Sequence, residues 1–225
     1  MKADIRPAFA AALLACAGAA AALWPYDRPP SISASELLEK VRGRYRDLGD
    51  FQAELSVVTT SALMGDAAAQ SGTIFARQPD LFRVEFREPY VQTIVFDGVH
   101  MYVVTAGSNQ VVRYDDAGFA ELVNLPQALD RLEEDYDVAL AAETAGRTYE
   151  MHLAARGPEA LFPKIYLWIS RDQFVITRAD LFDGSGGSTS YRFSSYRFDV
   201  GLPAGRFAFQ VPPGAEVVEM GGAGP

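Results

Sequence analysis

Leu81-Phe82-Arg83-Val84-Glu85-Phe86-Arg87 alternates without a break between apolar and charged side chains. An extended chain points successive side chains to opposite faces, so Phe82, Val84 and Phe86 share one face while Arg83, Glu85 and Arg87 share the other. This is the signature of a β-strand with one side buried and one side wet. The turn pair Pro79-Asp80 precedes it. Upstream, Phe51, Ala53, Leu55 and Val57 repeat the period of two against Gln52, Glu54 and Ser56. Gly72 to Arg77 starts a second strand, and the small residues from Ala62 to Gln70 read as the loop between them.

Downstream, Val91–Phe96 and Met101–Val104 flank Asp97-Gly98, a hairpin turn pair. Gly107-Ser108-Asn109 then turns the chain into Gln110–Tyr114. From Phe119 to Leu132 the period becomes helical, in two short pieces split by Pro126, which fits only the first turn of a helix. Strands resume at Tyr136–Ala142, Tyr149–Ala155, Lys164–Ile169, Val175–Phe182 and Ser188–Phe198, before a tail from Arg206 to Val211 that ends in Pro212-Pro213-Gly214. Before the first strand, Leu37, Leu38, Val41, Tyr45 and Leu48 recur at spacings of three and four, with Ser33 and Glu36 placed as a capping box and Gly49 as the C-cap. The expected domain is mostly β, with about ten or eleven antiparallel strands and three short helical pieces.

The ends and the composition bound the rest. Residues 1–23 read as a signal peptide, with Lys2 and Arg6 ahead of an Ala/Leu-rich stretch. Residues 24–32 read as a linker, 33–220 as one domain and 221–225 as a disordered tail. Cys16, the only cysteine, closes Leu13-Leu14-Ala15-Cys16, which is similar to a bacterial lipobox and makes Cys16 a candidate for lipidation. A net charge of −9 argues against nucleic acid as a partner and against tight docking on anionic headgroups.

No catalytic constellation emerges. His100 and His152 stand alone in or beside strands, and neither a zinc site nor a nucleophile can be assembled from what remains. Glu133-Glu134-Asp135 reads as a solvated turn, and Asp183-Gly-Ser-Gly-Gly as a hairpin tip without the lysine of a phosphate loop. No cofactor is expected. What stands out is apolar area: fourteen Phe, ten Tyr and two Trp in a largely β chain. A sheet this long that curls under helices encloses either a solid core or a cavity.

Four segments in order carry a resemblance: Leu48-Gly-Asp-Phe51-Gln-Ala-Glu-Leu55, the run from Gly72 to Arg83 with its Pro-Asp-Leu-Phe-Arg, Ile94-Val-Phe-Asp-Gly98, and Arg206-Phe-Ala-Phe-Gln-Val-Pro-Pro-Gly214. Together they resemble the periplasmic outer-membrane lipoprotein carrier family, LolA. The resemblance implies an incomplete, half-open antiparallel β-barrel with a helical lid over an apolar cavity. It implies a monomeric, non-enzymatic carrier in the Gram-negative periplasm. Such a carrier takes acylated lipoproteins from an inner-membrane ABC-type exporter and passes them to an outer-membrane acceptor. Alternation then nominates the acyl-chain wall: Leu55, Val57, Phe82, Val84, Phe86, Met151 and Leu153 from strands, and Leu38, Val41, Leu122, Leu125 and Leu129 from helices.

One position departs from the family. An arginine that helps close the lid usually precedes the proline, but here Gln78 stands there and Arg77 comes one residue earlier. A shift of one residue along a strand turns a side chain to the opposite face, so Arg77 and Gln78 are both candidates for lid closure. An acylated Cys16 would instead make this a membrane-anchored relative acting as a lipoprotein acceptor, a lipid-binding protein or a sensor.

Overall fold

The computed structural model describes residues 32–62, 65–114, 125–141, 146–158 and 160–220; within 125–130 it places the Leu129 side chain alone. The proposed signal peptide, Cys16, Leu122, the Leu125 side chain and the 221–225 tail lie outside the described residues.

Helix α1 spans Ala34–Asp47. Ser33 caps it in both directions: its hydroxyl accepts the Glu36 N–H (3.2 Å), and Glu36 Oε2 accepts the Ser33 N–H (2.9 Å). Leu37, Leu38 and Val41 are fully buried and Tyr45 nearly so, one stripe of a helix with 3.6 residues per turn. Each such side chain contributes about 1.5–3 kcal/mol by leaving water. The helix ends at an extended Leu48 rather than at Gly49, whose N–H donates to Asp199 Oδ1 (2.9 Å).

Two meanders follow. Strands β1 (Asp50–Thr60), β2 (Ala67–Arg77), β3 (Leu81–Glu88), β4 (Gln92–Phe96), β5 (Met101–Thr105) and β6 (Gln110–Tyr114) run antiparallel, neighbour to neighbour. After α2 (Leu125–Asp135) come β7 (Tyr136–Leu140), β8 (Thr148–Ala155), β9 (Lys164–Ser170), β10 (Ile176–Phe182) and β11 (Ser188–Phe198). Pairing of β1 with β11, from Phe51↔Phe198 to Thr60↔Ser188, joins the two halves into one open sheet. A final strand, β12 (Glu216–Met220), adds to β6 in parallel and completes twelve strands.

The open, mostly antiparallel sheet is as expected; among the described residues it has twelve strands where about ten or eleven were expected, and its last pair is parallel. Two expectations need correction. Ala67 to Gln70 belongs to β2 and not to a loop. Alanine has little strand preference of its own, but β1 is long enough to pair Thr60 with Ala67 and Val58 with Ala69, so the neighbouring ladder overrides composition. Arg206 to Val211, expected as a tail, is tied to the sheet. It holds part of a single 3-10 turn, Ala204–Phe207, within a strap that crosses the outer face of the first meander.

The strap's path is written in its contacts. Asp50 at the start of β1 accepts the N–H groups of Val200 (2.7 Å) and Leu202 (2.8 Å). Arg77 on β2 donates to the Leu202 carbonyl (3.1 Å), and Arg83 on β3 to that of Arg206 (3.3 Å). Phe207 and Leu202 cluster on Phe75, and Phe209 stacks on Tyr102 of β5 at 4.4 Å. The main core lies on the other face, where α1 packs.

Asp50 is itself buried at 7% exposure, so its loss leaves the enclosed Leu202 N–H and the part-buried Val200 N–H without their acceptor. Replacing Asp50 by alanine is expected to cost about 2–4 kcal/mol, read as a lower urea midpoint with the slope retained. An unchanged midpoint would show that the strap is not held there.

Candidate functional site

Helix α1 covers only part of the inner face. Its anchor is Tyr45, whose hydroxyl accepts the Ile176 N–H (3.2 Å) while the Tyr196 hydroxyl donates to the Ile176 carbonyl (2.6 Å). Burial pushes the Tyr45 pKa up to about 12, so the phenol stays neutral and available for this network. Leu38, Val41, Met151 and Leu153 are at most 1% exposed and belong to one continuous core with Leu129. Phe82 joins that core and stacks on Phe96 at 5.5 Å. These six predicted positions are buried in the core and are not among the residues that line the cavity.

Away from α1 the inner face is not filled. A cavity of about 330 Å³ opens among β1–β6 and β11. Four of the predicted wall residues meet there: Leu55, Val57, Val84 and Phe86. Ile74, Ile94, Met101 and Val103 extend the apolar wall, and Tyr191 and Phe193 of β11 close its side. Leu161 and Phe162, from the connection between β8 and β9, form a lip; Leu161 is 66% exposed. Thr59, Gln70, Gln92 and Thr189 supply the polar part of the lining. The volume falls at the small end of the range for sites that hold small molecules.

The wall needs tight strand spacing beneath it. Gly72 lies opposite Phe86, where the ladder shifts register, and a Cβ there would come 2.1 Å from the Glu85 carbonyl oxygen. Only glycine fits that approach.

Helix α2 is held differently from α1. It runs straight into β7 at Asp135–Tyr136, and among its described side chains Leu129 and Leu132 are the buried apolar ones. Across to α1, Arg42 donates from Nε and Nη2 to the Leu129 carbonyl (2.9 and 2.8 Å) and from Nη1 to Glu133 (3.0 Å). Ser35 donates to the other Glu133 oxygen at 3.0 Å. The hydrogen bond from Arg42, then that from Ser35, holds the Glu133 carboxyl below the ordinary glutamate value. Glu133 is thus one half of an inter-helix clip. Tyr136 donates to the Phe162 carbonyl (3.1 Å), which connects the end of α2 to the lip of the cavity.

Sequence reading missed Arg42. It lies on α1 among other charged residues, and nothing local separates a guanidinium that clips a second helix from one in water. The candidate pair Arg77 and Gln78 separates as the one-residue shift implies. Gln78 Nε2 donates to the Tyr45 carbonyl at the end of α1 (2.8 Å), whereas Arg77 reaches the strap on the outer face. His152 pairs with Glu150 at 2.8 Å and stacks on Tyr166, and among the described residues no cluster of three metal-ligating side chains forms. Among those residues, no helix is long and apolar enough to cross a membrane.

Comparison with known proteins places this architecture. The family described as "Outer membrane lipoprotein carrier protein LolA" matches residues 49–210. An outer-membrane lipoprotein carrier protein of Alkalilimnicola ehrlichii is 34% identical over 155 residues, 68% of this chain and 69% of that one. Its counterpart in Chromobacterium violaceum is 30% identical over 157 residues, 68% and 74% of the two chains. Among solved structures, an uncharacterized conserved protein from Thermus thermophilus superposes with a TM-score of 0.56 at 17% identity, over 83% of this chain and 99% of that one, a likeness of fold. By its matched family and by its relatives, the chain belongs to the LolA family of outer-membrane lipoprotein carrier proteins.

Proposed function

We propose that this protein is a periplasmic carrier that takes lipoprotein acyl chains into the cavity and ferries lipoproteins from the inner to the outer membrane. The observation that carries the reading is the unfilled apolar cavity walled by Leu55, Val57, Val84 and Phe86. If a methylene takes about the 30 Å³ of a liquid water, the 330 Å³ space holds about eleven methylenes. At about 0.8 kcal/mol per buried methylene, that amounts to roughly 9 kcal/mol for one chain. A second or third chain needs more room, and movement of α2 with the Phe162 lip is the way this fold can provide it. The partners that go with this role are acylated lipoproteins, an ABC-type exporter that loads the carrier and an outer-membrane acceptor that unloads it. Retention and release require no bond to be made or broken, so the reading calls for no catalytic group or cofactor.

Titration with a triacylated peptide tests the cavity. Val57→Phe adds volume inside it, and affinity should fall about tenfold or more while the melting temperature holds or rises, since the ring fills empty space. A variant that melts earlier and still binds normally would mean that Val57 faces solid core, and the reading would fail.

The Arg42 clip is the latch in this account. Arg42→Met keeps the aliphatic stem but removes the donors to Leu129 and Glu133. It should lower apo stability by about 2 kcal/mol and speed both uptake and release. Unchanged kinetics would remove Arg42 from the gate.

The latch also has a pH signature. With the folded-state pKa of Glu133 below its unfolded value, the pair's stabilisation is complete above the unfolded value and is lost as pH falls through the folded one. Uptake measured by stopped flow should therefore be flat from neutrality to about pH 5 and quicken only below about pH 4. Acceleration between pH 7 and 6 would point to a different latch.

A further inference from the structure

Gln70 lines the cavity, and its amide nitrogen is buried without a hydrogen-bond partner, the one such side-chain atom among the described residues. Its polar neighbours in the lining are better served. Gln92 donates to Thr105 (3.0 Å), and the hydroxyls of Thr59 and Thr189 lie 3.4 Å apart. A buried N–H donor without an acceptor is destabilising, and leucine of similar size would remove that cost while extending the apolar wall. A cavity that took hydrocarbon alone has no use for the amide.

Register places this donor where a polar head would sit. Thr59 faces Thr189, and Gln70 pairs with Val57, the next inward position along β1. Gln92 pairs with Phe86, which pairs with Gly72, the next inward position along β2. Four polar side chains therefore gather toward the end of β1 and the start of β2, and the lining beyond them is hydrocarbon and aromatic. No lysine, arginine or histidine is among the lining residues described. A free carboxylate held there would have no cation to offset its desolvation, so the acceptor that fits is an uncharged carbonyl.

We propose that Gln70 is a specificity residue that donates to the ester carbonyl linking an acyl chain to its glyceryl head, so that the cavity selects ester-linked lipid over bare hydrocarbon. This rests on the acyl-chain reading of the cavity. The bound ligand supplies the acceptor that the empty protein lacks, which favours the loaded state without weakening the grip of the apolar wall.

The test uses a dihexadecanoylglyceryl-cysteinyl peptide and its dihexadecyl ether counterpart, which has chains of the same length and no ester carbonyls, titrated into the full mature protein. Wild type should bind the diester about tenfold tighter, a difference of about 1.4 kcal/mol. Gln70→Leu should bind both as wild type binds the diether. Without ligand it should melt about 2–4 °C higher, because the orphan donor is gone. Equal wild-type affinities for the two peptides would overturn the proposal, and so would a preference that survives in Gln70→Leu. Either result leaves the acyl-chain reading standing. A variant that melts no higher than wild type would also overturn it, by showing that the amide is satisfied in the empty protein. Failure of wild type to bind either peptide would remove the acyl-chain reading first, and this proposal with it.

Discussion

Tyr45 ties one turn of α1 to both halves of the sheet. Its hydroxyl meets the main chain at Ile176 beside Tyr196, and its carbonyl takes the Gln78 amide from the turn after β2. Its ring meets Phe51 edge-on at 6.0 Å, and Phe51 starts the strand that joins the two meanders. A buried phenol with its polar atom satisfied supplies apolar area and a fixed direction at once. With α1 pinned at this end, its apolar stripe packs with Met151 and Leu153, and among the described residues only the Leu161–Phe162 lip reaches over the face under β1–β6. The cavity lies beside the part of the inner face that α1 occupies.

The two helices differ in how firmly they are held, and magnitudes say which one can move. Freeing α1 would expose four buried side chains and break the Tyr45 network. Among the described residues, freeing α2 exposes Leu129 and Leu132, worth about 3–6 kcal/mol together, and breaks the Arg42 clip. An acyl chain of about ten methylenes brings roughly 8 kcal/mol, which exceeds the second cost and falls within the first, about 6–12 kcal/mol for the four side chains before the Tyr45 network is counted. In the proposed carrier role, a ligand with several chains would open α2 before α1. The strap acts on the opposite face. From Asp50 to β12 it covers the first meander, leaving the inner face as the side open to ligand.

Much of this could be read from the residues. Phe82-Arg-Val-Glu-Phe86 is a strand because the two faces of that strand meet different surroundings, and the capping box at Ser33 forms from local geometry alone. Failures came where the deciding partner is distant in sequence. Ala67 to Gln70 is a strand only because β1 lies beside it, and Arg42 is a clip only because Leu129 and Glu133 fold against it. Alternation also marked Phe82, Met151 and Leu153 as inward-facing in the same way as Val57 and Val84. Periodicity says which side of a strand is dry, but a core and a cavity are equally dry. What separates them is the body lying opposite, and no window along one strand contains that.

The central claim is that the unfilled part of the inner face belongs to acyl chains. Native mass spectrometry of the protein purified from a periplasmic extract, with analysis of bound lipid and of the mature N-terminus, addresses it directly. The account predicts a soluble chain carrying one triacylated protein, lost on Val57→Phe. A chain that is consistently empty and takes up no triacylated peptide would contradict it, and one that begins at a lipid-modified Cys16 would replace the soluble carrier with an anchored relative.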